Sequence, residues 1–113
     1  MTSISILGRG KMGSAIANIA ELAGAHVQIV SRSATPSKDH PSATYSVLGD
    51  DLTGDLVVFA IPYGAYPSIL EHYRDRLGGK VVIDISNPID FTTYEQPEAL
   101  RTSSTALELA KQL

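Results

Sequence analysis

The sequence predicts an open parallel α/β sheet with helices on both faces, in one small domain, and three observations point to it. A β-prone run, a glycine-rich turn and a helix-spaced stretch follow one another within the first 24 residues. Two later runs, LVVFAI and KVVIDIS, are continuously apolar, as strands of a parallel sheet buried on both faces tend to be. Between such runs lie segments with helical spacing, and this alternation is the pattern of strand, crossover and parallel strand.

Residues 3–7, SISIL, are β-prone and stop at Gly8, so they read as a short strand entering a tight turn. The period then changes: Met12, Ile16, Ile19, Ala20 and Ala23 fall on one helical face, and Gly24 stands where a helix is capped. HVQIVSR, residues 26–32, is a second strand that completes a βαβ unit. Residues 33–43 are rich in Ser, Thr, Pro and Asp, with Pro36 and Pro41 interrupting any helix, which predicts an irregular connection. ATYSVL, residues 43–48, reads as a third strand and residues 49–55 as a loop. LVVFAI, residues 56–61, is a fourth strand ended by Pro62. From about Ala65 to Leu77, the residues Ile69, Leu70, Tyr73 and Leu77 share a helical face, with Pro67 near the start and Gly78 and Gly79 at the end. KVVIDIS, residues 80–86, is a fifth, buried-type strand closed by Asn87 and Pro88, and residues 104–113 carry helical spacing behind a Thr105 and Glu108 capping box.

Composition excludes several classes of function. At 113 residues with 43% hydrophobic content the chain has the size and make-up of one globular domain. Nine basic and twelve acidic side chains give a net charge of -3, without the basic excess of a phosphate-backbone binder, so nucleic acid is not expected as a partner. There is no cysteine, hence neither a disulfide framework nor a thiolate metal site, and a reducing cytoplasm is the expected compartment. The opening MTSISILGRG lacks the basic and apolar regions of a secretory leader, and no run approaches the roughly 20 apolar residues that span a bilayer, so no membrane is expected. His26, His40 and His72 are scattered over strand, connection and helix with no metal-ligand spacing: His26 reads as a strand-start residue and the other two as surface residues, and no metal is expected. An open sheet leaves edge strands unpaired, and a homodimer is one way to cover them.

The glycine-rich turn carries the functional signal. Gly8, Gly10 and Gly13 stand at GxGxxG spacing between a strand and a helix, the context of a Rossmann-type dinucleotide fold. Gly8 would permit the sharp turn, Gly10 would let the backbone approach a pyrophosphate, and Gly13 would let the helix pack close to the strands. The helix start near Lys11 and Met12 then offers free N–H groups to the phosphates. At the end of the second strand an acidic residue would bond ribose hydroxyls, but Ser31, Arg32 and Ser33 stand there instead and suit a 2'-phosphate, which points to NADP. Arg9 and Lys11 could add to the same positive site or be solvated charges. Ala60, Ile61, Pro62 and Tyr63 after the fourth strand, and Ser86, Asn87 and Pro88 after the fifth, are the expected lining for ribose and nicotinamide, because ligands lie beyond the carboxyl ends of parallel strands. Tyr63 and Tyr66 either touch the cofactor or are half-buried near a helix start. Asp84, inside an apolar strand, reads as a structural carboxylate or as a catalytic base. The pattern offers no nucleophile and no Ser/His/Asp order, so catalytic residues stay unassigned.

ISILGRGKMGSAIA, VQIVSRS, GDLVVFAIPYGAY and KVVIDISNP together resemble the N-terminal Rossmann domain of the deazaflavin-dependent NADP oxidoreductase family. The resemblance implies NADP bound along the glycine turn, residues 31–33, the tip at Ile61 and Pro62, and Asn87 with Pro88. It also implies hydride passing between the nicotinamide and a flavin or deazaflavin acceptor, a small molecule that the protein would position rather than activate with a dedicated acid or base. The loop GRGKMG departs from the family's GGTGN form and is closer to that of pyrroline-5-carboxylate reductases, which leaves an imine or carbonyl acceptor as an alternative. Family members continue into a C-terminal acceptor-binding portion. Residues 1–113 are therefore expected to be the NADP-binding domain without that portion, and an NADP-binding sensor or regulatory module without catalysis is a further alternative.

Overall fold

The computed structural model describes residues 2–85. Five parallel strands, β1 (Ser3–Leu7), β2 (His26–Ser31), β3 (Thr44–Val47), β4 (Leu56–Phe59) and β5 (Val81–Asp84), form one sheet in the order β3-β2-β1-β4-β5. The chain runs outward from β1 in one direction, then returns to start β4 on its other side. Helix α1 (Lys11–Leu22) connects β1 to β2, and α2 (Tyr66–Tyr73), flanked by 3-10 turns at Tyr63–Ala65 and Arg74–Arg76, connects β4 to β5. All five expected strands and the first two expected helices are present: β1 spans its expected residues, the other strands are one or two residues shorter at one or both ends, and α2 stops at Tyr73, where a 3-10 turn takes over. The expected helix at residues 104–113 lies outside the described residues.

The two helices cover opposite faces because the strand side chains alternate. Ile4, Ile6, Val27, Ile29 and Val58 point toward α1, while Leu7, Val30, Val57 and Phe59 point toward α2 and its Tyr66, Ile69, Leu70 and Tyr73. In β4, Val57, Val58 and Phe59 are all buried, as a strand covered on both faces requires. β5 departs from its buried-type reading: Val81 and Ile83 are 58% and 38% exposed. β5 is the edge strand on that side, and α1 lies over β1 and β2 instead.

α1 also turns a face other than the expected one to the sheet. Gly13, Ala17 and Ala20 are buried, whereas Met12 and Ile19 are 59% and 67% exposed. The smallest side chains let the helix backbone approach the strands, and the larger ones stay outside. The helix ends as expected, with Gly24 at a φ of 81°, its N–H donating to Glu21 O, and the Ala25 N–H donating to Ala20 O: the paired bonds of a Schellman cap.

Beneath the α2 face runs a buried polar row. The Ser5 hydroxyl donates to Gln28 Oε1 at 2.6 Å, and Gln28 Nε2 donates to Ser46 Oγ at 3.0 Å and to Asp51 O at 2.9 Å. The N–H groups of Thr53 and Gly54 donate to Gln28 Oε1 and Ser5 Oγ at 3.0 and 2.8 Å. Every polar atom of the Gln28 side chain is thus used, which makes its burial tolerable, and residues 51–54 are tied directly to β1 and β2.

Candidate functional site

The carboxyl ends of β1, β2 and β4 open into a crevice of about 570 Å³. Its position follows from the topology: the chain leaves β1 for one side of the sheet and β4 for the other, so the loops above them diverge. Gly8, Arg9, Ser31, Arg32, Ser33, Ile61 and Pro62, all expected at the site, line it together with Val30, Leu48, Ala65, Ser68 and Ile69. The sequence reading missed these last five. Val30 is on β2, Leu48 follows β3, Ala65 ends the 3-10 turn before α2, and Ser68 and Ile69 are on α2; no motif marks them.

The glycine turn shows three different environments. Gly8 has a φ of 115°, and a Cβ there would meet Ala60 O at 2.3 Å. A Cβ on Gly13 would meet Gly8 O at 2.5 Å. Around Gly10, by contrast, a Cβ would find nothing within 4 Å. Gly10 caps α1 without a side-chain hydrogen bond, and the first intrahelical bond runs from the Ser14 N–H to Gly10 O at 2.9 Å. The amides of Lys11, Met12 and Gly13 precede that bond, so the helix start presents donors and a partial positive charge. A second, shallow groove lies here, lined by Arg9, Gly10, Lys11, Ser14, Ala15 and Asn18.

Arg9 joins the two regions and anchors the segment after β2. Its Nη1 donates to Ser33 O and Thr35 O at 3.2 and 2.8 Å, and the guanidinium lies 5.3 Å from the centre of the Tyr45 ring. It is therefore held in place rather than a freely solvated charge. The Ser31 hydroxyl donates to Ser33 O at 2.7 Å, bending the backbone so that Arg32 projects outward. Arg32 is exposed and makes no hydrogen bond or ion pair among the described residues.

Several expected residues lie elsewhere. Met12 is on the exposed face of α1 and lines neither cavity. Ala60 packs toward the α1 core and stands 3.5 Å from where a Cβ on Gly13 would be, so it shapes the turn from below. Tyr66 is 1% exposed: its ring packs edge-on against Phe59 with centroids 5.2 Å apart, and its hydroxyl donates to Asp84 Oδ1. Core packing holds Tyr66 out of the crevice, and Asp84 takes the structural role of receiving its hydroxyl. Tyr63 opens the 3-10 turn above β4. Ser86, Asn87 and Pro88 lie outside the described residues.

His40 corrects the surface reading. It is 3% exposed, with Nε2 2.7 Å from Ser14 Oγ and Nδ1 3.1 Å from Glu21 Oε1. Among the described residues no group of three His, Asp or Glu side chains could hold a metal ion, and no helix is long and apolar enough to cross a membrane.

A parallel sheet of this order, a turn that needs glycine at positions 8 and 13, and a crevice above the switch between β1 and β4 define an α/β fold of the dinucleotide-binding, Rossmann type. Residues 3–88 match the NADP oxidoreductases described as coenzyme F420-dependent, and the chain belongs to that family. Over 98% of its length it is similar to a chain named as an F420-dependent NADP reductase from Arthrobacter sp. FB24, with 25% identity and a TM-score of 0.83, covering 57% of that chain. The fold is shared with an imine reductase of Streptomyces aurantiacus (23% identity, 97% of this chain and 38% of that one, TM-score 0.66). It is shared as well with the pyrroline carboxylate reductase of Plasmodium falciparum with NADP bound (20% identity, 86% and 39%, TM-score 0.64). The chain thus spans 38% to 57% of the length of these structures. No curated protein matches it significantly.

Proposed function

We propose that the chain binds NADP and serves as the cofactor-holding part of an oxidoreductase that passes hydride between the nicotinamide and a flavin or deazaflavin acceptor. The observation that carries the reading is the placement of Arg32. An exposed guanidinium with no bond among the described residues stands at the rim of the crevice, at the strand end where an acidic side chain would favour NAD. Its planar fork suits the 2'-phosphate of NADP. The open space at Gly10 and the amides at the start of α1 fit the pyrophosphate, and Ile61 and Pro62 fit a ribose edge. Bound there, NADP supplies the hydride chemistry. The protein residues bind it, fix its orientation and exclude water along the apolar wall of Val30, Leu48 and Ile69.

Parallel calorimetric titrations with NADPH and NADH test this. NADPH should bind more tightly, and Arg32→Ala should weaken it by about tenfold or more, the 1.5–3 kcal/mol of a hydrogen bond to a charged group, with little effect on NADH. Equal affinities, or indifference to the substitution, would refute the 2'-phosphate assignment. NADPH oxidation assayed against a deazaflavin, a flavin and a small cyclic imine then tests the acceptor. Binding without turnover of any of them would support the non-catalytic module instead.

A further inference from the structure

His40 is buried within a connection that is otherwise largely open to solvent, and α1 holds both of its ring nitrogens. A carboxylate only accepts, so Nδ1 carries a proton toward Glu21, and in the neutral ring Nε2 accepts the hydroxyl proton of Ser14. Ser14 also lines the groove at the start of α1. Ser14 therefore borders both the buried ring and the groove in which the pyrophosphate lies on the reading above.

One hydroxyl has one proton to give. If Ser14 donates it to a phosphate oxygen, Nε2 is left as a buried acceptor without a donor, an arrangement that costs free energy. A second proton on the ring repairs this: Nε2–H donates to Ser14 Oγ while Ser14 donates outward. Glu21, at 23% exposure, balances the charge that the ring gains. We propose that Ser14 is a ligand of the cofactor's pyrophosphate and that His40 is its positioning residue, so that binding of the dinucleotide takes up a proton from solvent at His40. This inference rests on the glycine turn being the pyrophosphate site.

The other groups around the ring are compatible with the proton. Arg9, Asp39 and Tyr45 line the same cavity of about 70 Å³, and Lys38 is the exposed neighbour on the same connection. Arg9 is engaged by two carbonyls and the Tyr45 ring, and the Tyr45 hydroxyl donates to His40 O at 3.0 Å. Among the described residues, Glu21 and Asp39 are thus the carboxylates near the ring. Ser, His and carboxylate stand in the order of a hydrolytic triad, yet the Ser14 amide is spent on Gly10 O and is not free to hold an oxyanion, so the arrangement suits a relay better than a nucleophile.

Calorimetry of NADPH binding to the chain at neutral pH, in buffers of unlike ionisation enthalpy, reads the protons exchanged. The wild type should take up a substantial fraction of a proton more than His40→Gln or Ser14→Ala. The titrating 2'-phosphate contributes alike to all three, so the difference is the readout. Ser14→Ala should also bind about tenfold more weakly, as expected for the loss of one hydrogen bond to a charged group. Equal uptake in the wild type and His40→Gln overturns the inference. The ¹⁵N resonance of His40 Nε2 in the wild type needs no variant: it should move from the unprotonated to the protonated range on adding NADPH, and a resonance that stays put overturns the inference too. Failure of NADPH to bind at all would overturn the pyrophosphate reading and the inference together, whereas binding without His40-dependent uptake would overturn the inference alone.

Discussion

Gly13 lies so close beneath Gly8 that a Cβ on the first would stand 2.5 Å from the carbonyl oxygen of the second. The contact joins α1 to the end of β1 and fixes where the helix begins. Alanine at Gly13, or at Gly8 with its φ of 115°, should cost about 2–4 kcal/mol in urea unfolding, because backbone must move to admit the methyl group. Gly10 has a φ of -75° and open space around it, so Gly10→Ala should cost less than about 1 kcal/mol. The same substitution should nevertheless weaken NADPH binding. Full affinity in Gly10→Ala would sink the idea that the cofactor approaches the backbone there.

The buried face of α1 gives a second test. Ala17 is fully buried and Ile19 is 67% exposed. Ala17→Leu should destabilise by about 1–3 kcal/mol through overpacking, while Ile19→Ser should stay within about 0.5 kcal/mol of the wild type. The opposite order in a chemical denaturation series would restore the face that the sequence suggests.

Gln28 supports a third. Replacing it with Leu removes the acceptor that Ser5 and Thr53 use and the donor that Ser46 and Asp51 O use, and leaves the buried Ser5 and Ser46 hydroxyls short of a partner. A loss of about 3 kcal/mol or more is expected from those unsatisfied groups, read as a lowered denaturation midpoint. A stable Gln28→Leu protein would mean that water or a shift of residues 51–54 satisfies them.

Tyr73 gives the fold an alkaline limit. Burial raises its hydroxyl above the ordinary value of 10.0, outweighing the hydrogen bond from the Gly49 N–H and the nearby Arg76, which both act to lower it. The unfolded chain therefore loses this proton first. The contribution is complete below pH 10.0 and falls as pH rises through the folded-state value, where the unfolded state binds fewer protons. Tyr73→Phe should lower stability at neutral pH by about 1 kcal/mol, since the hydroxyl donates to Asp50 O. It should also flatten the decline above pH 10.0. An unchanged alkaline decline would assign it to another group.

The strands and the glycine turn were legible because their signals are local: β-prone runs, the spacing of Gly8, Gly10 and Gly13, and the prolines that punctuate them. What escaped depends on distance along the chain. Ser14 and Glu21 reach His40 across 26 and 19 residues, and no periodicity encodes that meeting. The face of α1 escaped because hydropathy ranks Ile19 above Ala17, while packing against a sheet rewards the smaller side chain. Tyr66 escaped because its neighbours in the core come from β4 and β5. Gln28 did leave a trace, as a lone amide inside an apolar strand.

That amide has a consequence for how the strands align. Runs such as VQIV and LVVF are buried on both faces, and sliding one past its neighbour by two residues would keep every side chain on its proper face. Apolar contact alone therefore discriminates poorly between such alignments. The row of Ser5, Gln28 and Ser46 does discriminate, because Ser5 stands opposite Gln28 in the native pairing and any slip would leave buried polar atoms unmatched. The row thus acts as a key for strand registration. Through it, a group in the middle of the sheet sets how far β1 projects before the chain turns at Gly8.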